Sequence, residues 1–228
     1  MNNPYIPQAQ NPLVISNGLI SYWSFNESQG TVLNDFSGKR NTGTVVGATW
    51  GSSGIAGSCL KFTGTNYVTC SATTDFDFTT ASPFTITAWV YPIHAGPDNQ
   101  GGSIIIKEAT SGTVGWFLYS FFTGANTGVY WQTNTSGWIT HVALTASAWN
   151  HVALVHSNVS ESLWLNGVNR LSRANQTLTS GGSGLVIGAW RNTTSITQNW
   201  SGSIDEVRVY NRNLSAAEIG ILYSAKGT

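Results

Sequence analysis

The side chains able to do chemistry are few, and they are scattered. The glutamates are Glu27, Glu108, Glu161, Glu206 and Glu218. Glycoside hydrolysis needs two carboxylates held about 5–10 Å apart, and no stretch places acids at alternating strand positions with a glutamate among them. Asp75 and Asp77 share a parity in TTDFDFTT, but no glutamate accompanies them, and they read as polar loop beside a strand end. The histidines are His94, His141, His151 and His156. His151 and His156 have opposite parity in HVALVH, so they face opposite sides of a strand, and only His141 could join one of them across a sheet. There is no nucleophile–base signature, no glycine-rich phosphate loop and no metal-ligand spacing. The sequence therefore predicts no catalytic residues and no enzymatic activity.

Two cysteines flank CLKFTGTNYVTC. Two short strands around a GTN turn would set Cys59 opposite Cys70, within disulfide reach if the register is right. The other reading is two small buried hydrophobes.

The elements that must position these groups are strands. From Leu19 onward, β-branched and aromatic runs such as LISYWSF, PFTITAWVYP, GWFLYSFF, GVYWQT and NHVALVHS alternate with Gly, Asn and Ser clusters. Asn166-Gly167 in LWLNGV fits a two-residue type I′ hairpin turn. Many short strands at regular spacing argue for a two-sheet antiparallel sandwich of jelly-roll type. One helix stands out. Ser215-Ala216-Ala217-Glu218 is a capping box, with Leu214 and Ile219 at the staple positions, which gives Glu218 a structural role. Residues 1–17, rich in Pro and Asn, read as an N-terminal arm, and 18–228 as one domain.

With ten basic and ten acidic residues the net charge is +0. No basic run exists, which excludes nucleic-acid binding by phosphate neutralisation. No apolar run is long enough to span a membrane. The start MNNPYIPQAQ lacks the regions of a signal peptide, so synthesis in a cytoplasm is expected. The Asn-X-Ser/Thr triplets, Asn26 and Asn134 among them, read as chance matches in an Asn/Ser/Thr-rich chain.

The ordered series GLISYWSFNESQG, DFSGKRNTG, LKFTGTNYV, PFTITAWVYP, WNHVALV, LWLNGV and SGSIDEVRVYNRNLSAAEI resembles laminin-G-like domains of the concanavalin A-like lectin/glucanase group, over Gly18 to Tyr223. The resemblance implies an all-β jelly roll of two curved antiparallel sheets with a short C-terminal helix. The family often has Asp where Asn26 stands here. Many of its members bind calcium, which implies at most one structural calcium here, with Asp205 and Asp35 as ligands. In GSIDEVRVY, strict alternation puts Ile204, Glu206, Arg208 and Tyr210 on one face, with Glu206 and Arg208 as an exposed ion pair. It puts Asp205 on the core face with Val207 and Val209.

Binding is the function these residues favour. The chain has ten Trp, eight Tyr and nine Phe. GWFLYSFF carries aromatics on both parities, and the outer face of PFTITAWVYP carries Thr85, Thr87, Trp89 and Tyr91. An exposed aromatic patch marks a ligand groove or an interface. Tyr130, Trp131 and Trp138 are the ligand-binding residues the pattern suggests. The expectation is a non-enzymatic structural and recognition module of a surface assembly, such as a virion decoration or fibre protein. It would bind glycan or protein, and it would be a homo-oligomer or be docked through its arm. The alternatives are a stand-alone carbohydrate-binding module and, third, a glycan-degrading enzyme.

Overall fold

A computed structural model describes residues 15–70, 74–93, 102–108, 114–123, 126–133, 141–178, 184–191, 196–197 and 200–225. In chain order the strands are β1 (Leu19–Trp23), β2 (Val32–Leu33), β3 (Gly43–Val46), β4 (Thr49–Gly51), β5 (Cys59–Thr63), β6 (Tyr67–Cys70), β7 (Phe84–Pro92), β8 (Gly102–Glu108) and β9 (Val114–Thr123). There follow β10 (Asn126–Thr133), β11 (Val142–Leu144), β12 (Asn150–His156), β13 (Ser160–Leu165), β14 (Val168–Ala174), β15 (Leu185–Ile187), β16 (Trp190–Arg191), β17 (Ile196–Thr197) and β18 (Ser201–Tyr210). The helix α1 (Ala216–Ser224) comes last.

Two eight-stranded antiparallel sheets form the sandwich that the strand spacing predicts. The back sheet runs β14-β13-β12-β7-β18-β5-β4, with β1 also paired to β18. The front sheet runs β11-β10-β9-β8-β15-β6-β3-β2. Alternation sorts each strand between faces. In β7, Phe84, Ile86, Ala88 and Val90 enter the inter-sheet core, where they meet Trp116, Leu118, Val129 and Trp131 of β9 and β10. The opposite parity of β9, Phe117 and Tyr119, packs with Tyr130, Val186 and Ala189 on the far side of the front sheet. So both faces of this sheet are apolar, as the sequence suggests, and Phe117, Tyr119 and Tyr130 are all buried.

The outer face of the back sheet is partly covered by α1. Ser215 accepts from the Glu218 N–H, and the Glu218 carboxylate accepts from the Ser215 N–H at 2.8 Å, completing the capping box. Leu214, Ile219 and Leu222 pack on Leu19, Tyr22, Ala153 and Tyr210, and burying each large aliphatic side chain contributes about 1.5–3 kcal/mol. The Tyr223 ring stacks on Trp89, with centroids 5.7 Å apart. Asn166 and Gly167 both have positive φ, 53° and 79°, as a type I′ turn requires.

Topology decides between the two readings of the cysteines and overturns one expectation for β18. Cys59 and Cys70 are not bonded: both are free, buried thiols. Their strands do not form a hairpin with each other. β5 pairs with β4 and β18 in the back sheet, and β6 pairs with β3 and β15 in the front sheet. Cys70 joins the inter-sheet core, whereas Cys59 shares the parity of exposed Lys61.

The overturned expectation concerns the alternation of β18. Its register against β7 shifts between Asp205 and Arg208, and Glu206 has φ 54°. This β-bulge inserts one residue and resets the parity. Ile204, Val207 and Val209 all face the core. Asp205 pairs across from Trp89 and faces away from the core with it. Glu206 and Arg208 are not an exposed pair: both are buried, and Tyr22 donates its hydroxyl proton to Glu206 at 2.9 Å while the Arg208 guanidinium lies 4.1 Å above the Tyr22 ring.

Candidate functional site

At the end of the back sheet that α1 leaves uncovered, three neighbouring strands present one outward row. Lys61 on β5 pairs with Ser203 on β18, and Ser203 pairs with Tyr91 on β7. Trp149 stands beside Tyr91, edge to face, with centroids 5.7 Å apart. These side chains, with Ser53, Thr63, Gly202 and Ile93, line a groove of about 410 Å³, a size that holds a small ligand. Ile93 is 45% exposed, and Tyr91 and Trp149 are half-buried.

Local chemistry shapes the groove. Gly202 has φ 131°, and a Cβ there would run into the Tyr91 carbonyl, so only glycine lets β18 pass this close to β7. With Ser203 beside it, the floor stays low. A Cβ at Gly51 would meet Cδ and Cε of Lys61, so the lysine stem lies across that bare backbone. Next to the row on the same face, Cys59 and Asp205 are buried, and burial pushes the Cys59 thiol up. The Asp205 carboxyl is pushed up to about 8 by burial first and by the charge of Glu206 second. Its Oδ2 accepts from the N–H of Ile55 at 2.7 Å and of Ala56 at 3.3 Å. The loop before β5 thus folds over the acid.

The structure separates the ligand-binding residues suggested by the sequence. Trp131 is 2% exposed in the inter-sheet core, and its indole N–H donates to Glu161 at 2.9 Å. It is committed to packing and to that hydrogen bond. Tyr130 lies on the other side of the same sheet, buried among Phe117, Tyr119 and Val186. Trp138 lies outside the described residues. The residues that do meet at a groove were readable only in part. Tyr91 follows from the outward parity of PFTITAWVYP. Lys61 shows as the one charge in CLKFT, and Trp149 sits in a loop where periodicity says nothing.

The acids show why chemistry is hard to place here. Glu161 is buried, pairs with Arg173 and takes the Trp131 indole proton; burial pushes its carboxyl up against the pull of Arg173. Glu218 is held by Arg212 and the cap, which lower its carboxyl to about 2. Glu27 accepts from Asn34, and Asp77 pairs with the buried Lys107. Asp75 accepts from Asn41 at 3.2 Å. His151 and His156 do face opposite sides: His151 meets Trp89 and Tyr223, whereas His156 stacks on Phe84 in the core at 4.8 Å. His141 lies against Gly128 on β10, and His94 is outside the described residues.

Asp35 and Asp205 do not fit a shared calcium. Asp35 Oδ1 accepts from the N–H of Tyr22 and of Ser37, and Oδ2 accepts from the Ser37 hydroxyl and the Asn41 N–H. Its lone pairs are spent on closing the loop after β2. Asp205 is held by a different segment, 55–56, and only its Oδ1 is open. Calcium takes six to eight oxygens. Among the described residues no group of three or more His, Cys, Asp or Glu could hold a metal ion.

A family model described as the concanavalin A-like lectin/glucanase superfamily matches residues 62–220. The chain belongs to this superfamily. No curated protein matches its sequence. Among solved structures, the binding domain of Paraclostridial Mosquitocidal Protein 1 is similar at TM-score 0.68 and 16% identity, over 91% of this chain and 52% of that one. This superfamily member thus spans about half the length of that toxin domain. Domain 4 of AbnA, an extracellular arabinanase of Geobacillus stearothermophilus, solved with arabinotriose, matches at TM-score 0.65 and 16% identity, over 90% of this chain and 98% of that one. A Trypanosoma rangeli sialidase variant matches at TM-score 0.71 and 18% identity, over 92% of this chain and 34% of that one. At these identities the likeness is one of fold.

Proposed function

We propose that this lectin-like domain is a non-catalytic recognition module that binds carbohydrate in the groove between Lys61 and the Tyr91–Trp149 pair. The observation that carries this reading is the pair itself: two half-buried aromatic rings at the edge of a groove of about 410 Å³, with serine and threonine hydroxyls opposite. A sugar ring has an apolar face for the aromatics and a polar rim for the hydroxyls. Of the three relatives, one is a toxin's binding domain and one was solved with arabinotriose bound, which supports recognition as the use of the fold.

A glycan array that includes arabino-oligosaccharides, followed by calorimetry on the best hit, tests this. Trp149→Ala and Tyr91→Ala should each weaken binding by about tenfold or more, with the melting transition intact. A blank array, or binding that both variants leave unchanged, would refute the groove. The same proposal places the module in a surface assembly, such as a virion or cell envelope, docked or oligomeric through its arm. Its support is the low charge and the Ser/Thr/Asn-rich composition. Light scattering on the full chain, with co-sedimentation on particles, tests that part: a monomer that sediments with no particle would sink it.

A further inference from the structure

We propose that the groove selects acidic sugars, with a ring carboxylate on the Lys61 ammonium and the apolar ring face on Trp149 and Tyr91. This rests on the groove being a glycan site and goes on to name the ligand's charge.

The argument is one of placement. Among the residues lining the groove, Lys61 is the one that carries a charge. It is exposed, and no acidic side chain among the described residues forms an ion pair with it. Its position is built rather than loose, because the stem lies over Gly51, where a Cβ would displace it. The row Lys61, Ser203, Tyr91 crosses three paired strands. Neighbouring strands lie about 4.8 Å apart, so the lysine and tyrosine backbones stand roughly 10 Å from each other. That span takes one ring lying over Ser203 and Gly202, with a substituent pointing to each wall. One wall is aromatic and the other cationic, so a ring stacked on Trp149 directs its far substituent to Lys61. A carboxylate there receives a charge-assisted hydrogen bond, whereas a hydroxymethyl group receives an ordinary one.

The charge on the same face does not cancel this. Asp205, two residues along β18, is buried under the 55–56 backbone and holds its proton up to about pH 8. Glu206 and Arg208 neutralise each other beyond it. At neutral pH the groove therefore presents one net positive charge beside an aromatic wall.

The probes are uronate- and sialate-terminated oligosaccharides and their methyl esters, titrated by calorimetry against the full chain, Lys61→Met and Trp149→Ala. The acids should bind on the order of tenfold more tightly than the esters at low salt. Lys61→Met should erase that difference, weakening the acid on the order of tenfold more than the ester. Trp149→Ala should weaken acid and ester alike. Equal affinity for acid and ester, still lost in Trp149→Ala, would overturn the charge selection and leave the groove standing. Binding that neither variant changes, or no binding of acid, ester or neutral glycan, would overturn the groove and this inference together. Lys61 is exposed, so its replacement leaves the core untouched.

Discussion

Replacing Asp205 by Asn should change how stability depends on pH. Asp205 has none of its surface exposed, and burial moves its carboxyl from 3.8 to about 8. The unfolded chain releases this proton near pH 4, and the native state keeps it until about pH 8. Between those values the native state binds more protons, so stability falls as pH rises, and it levels off above 8. One pH step is worth about 1.4 kcal/mol, so the whole window amounts to something on the order of 5 kcal/mol. From pH 6.5 to 8.0 the share is about 2 kcal/mol. Asn keeps an oxygen for the Ile55 and Ala56 N–H groups and has nothing to titrate. The assay is urea unfolding followed by tryptophan fluorescence at pH 6.5, 7.25 and 8.0, on both proteins. His156, which burial holds below its ordinary value in the native state, still titrates near pH 6.5 in the unfolded chain, but it does so in both proteins. The difference between the two proteins therefore cancels His156 and the groups that do not sense Asp205. The wild-type protein should lose about 2 kcal/mol relative to Asp205→Asn across this range. A constant difference, or a wild-type protein that gains on the variant as pH rises, would refute the claim that the acid is buried with its proton.

Other consequences are as open to measurement. Glu218→Ala removes the reciprocal cap and the Arg212 pair, and should destabilise the domain by about 1–2 kcal/mol in chemical denaturation; because Glu218 is held near 2, this contribution is present above pH 4.5 and should fade as pH falls from there toward 2. Cys59 and Cys70 should both react with maleimide only after unfolding, and reductant should leave the melting temperature where it was. Excess chelator should also leave it unchanged, because Asp35 is saturated with donors; a drop of several degrees would show that calcium holds the fold together. Arg208→Met strips the buried Glu206 of its partner and should cost about 3–5 kcal/mol, against less than 1 kcal/mol if the pair were exposed as alternation suggests.

How much of this could be read from the chain depends on how local the cause is. The capping box, the Asn166-Gly167 turn and the two-faced strands β7 and β9 each depend on residues within one element, and spacing reveals them. The fate of Cys59 and Cys70 depends on which sheet each strand joins, and that is decided by partners as distant as Ser203 and Leu185. Trp131 looked like a ligand face because an aromatic at an outer parity and one at an inner parity are the same letter. What separates them is burial against Phe84 and Trp116. Tyr130, one residue away, is buried too, but on the other side of the sheet. The groove itself is made by a row across three strands and by loop residues such as Trp149 and Ser53, so it exists in no single stretch of sequence.

The bulge at Asp205–Glu206 means that β18 has a reading frame. Upstream of it, odd-numbered residues look outward, to the groove; downstream, even-numbered residues do, to α1. One inserted residue lets a single strand write two different messages on the same side of the sheet, and it ties them together. If Glu206 were instead drawn into regular pairing, unbroken alternation would set Ile204 and Val207 on opposite faces, and they could no longer both reach the core. Whichever frame won, either the groove floor or the seat of the helix would be turned inside out.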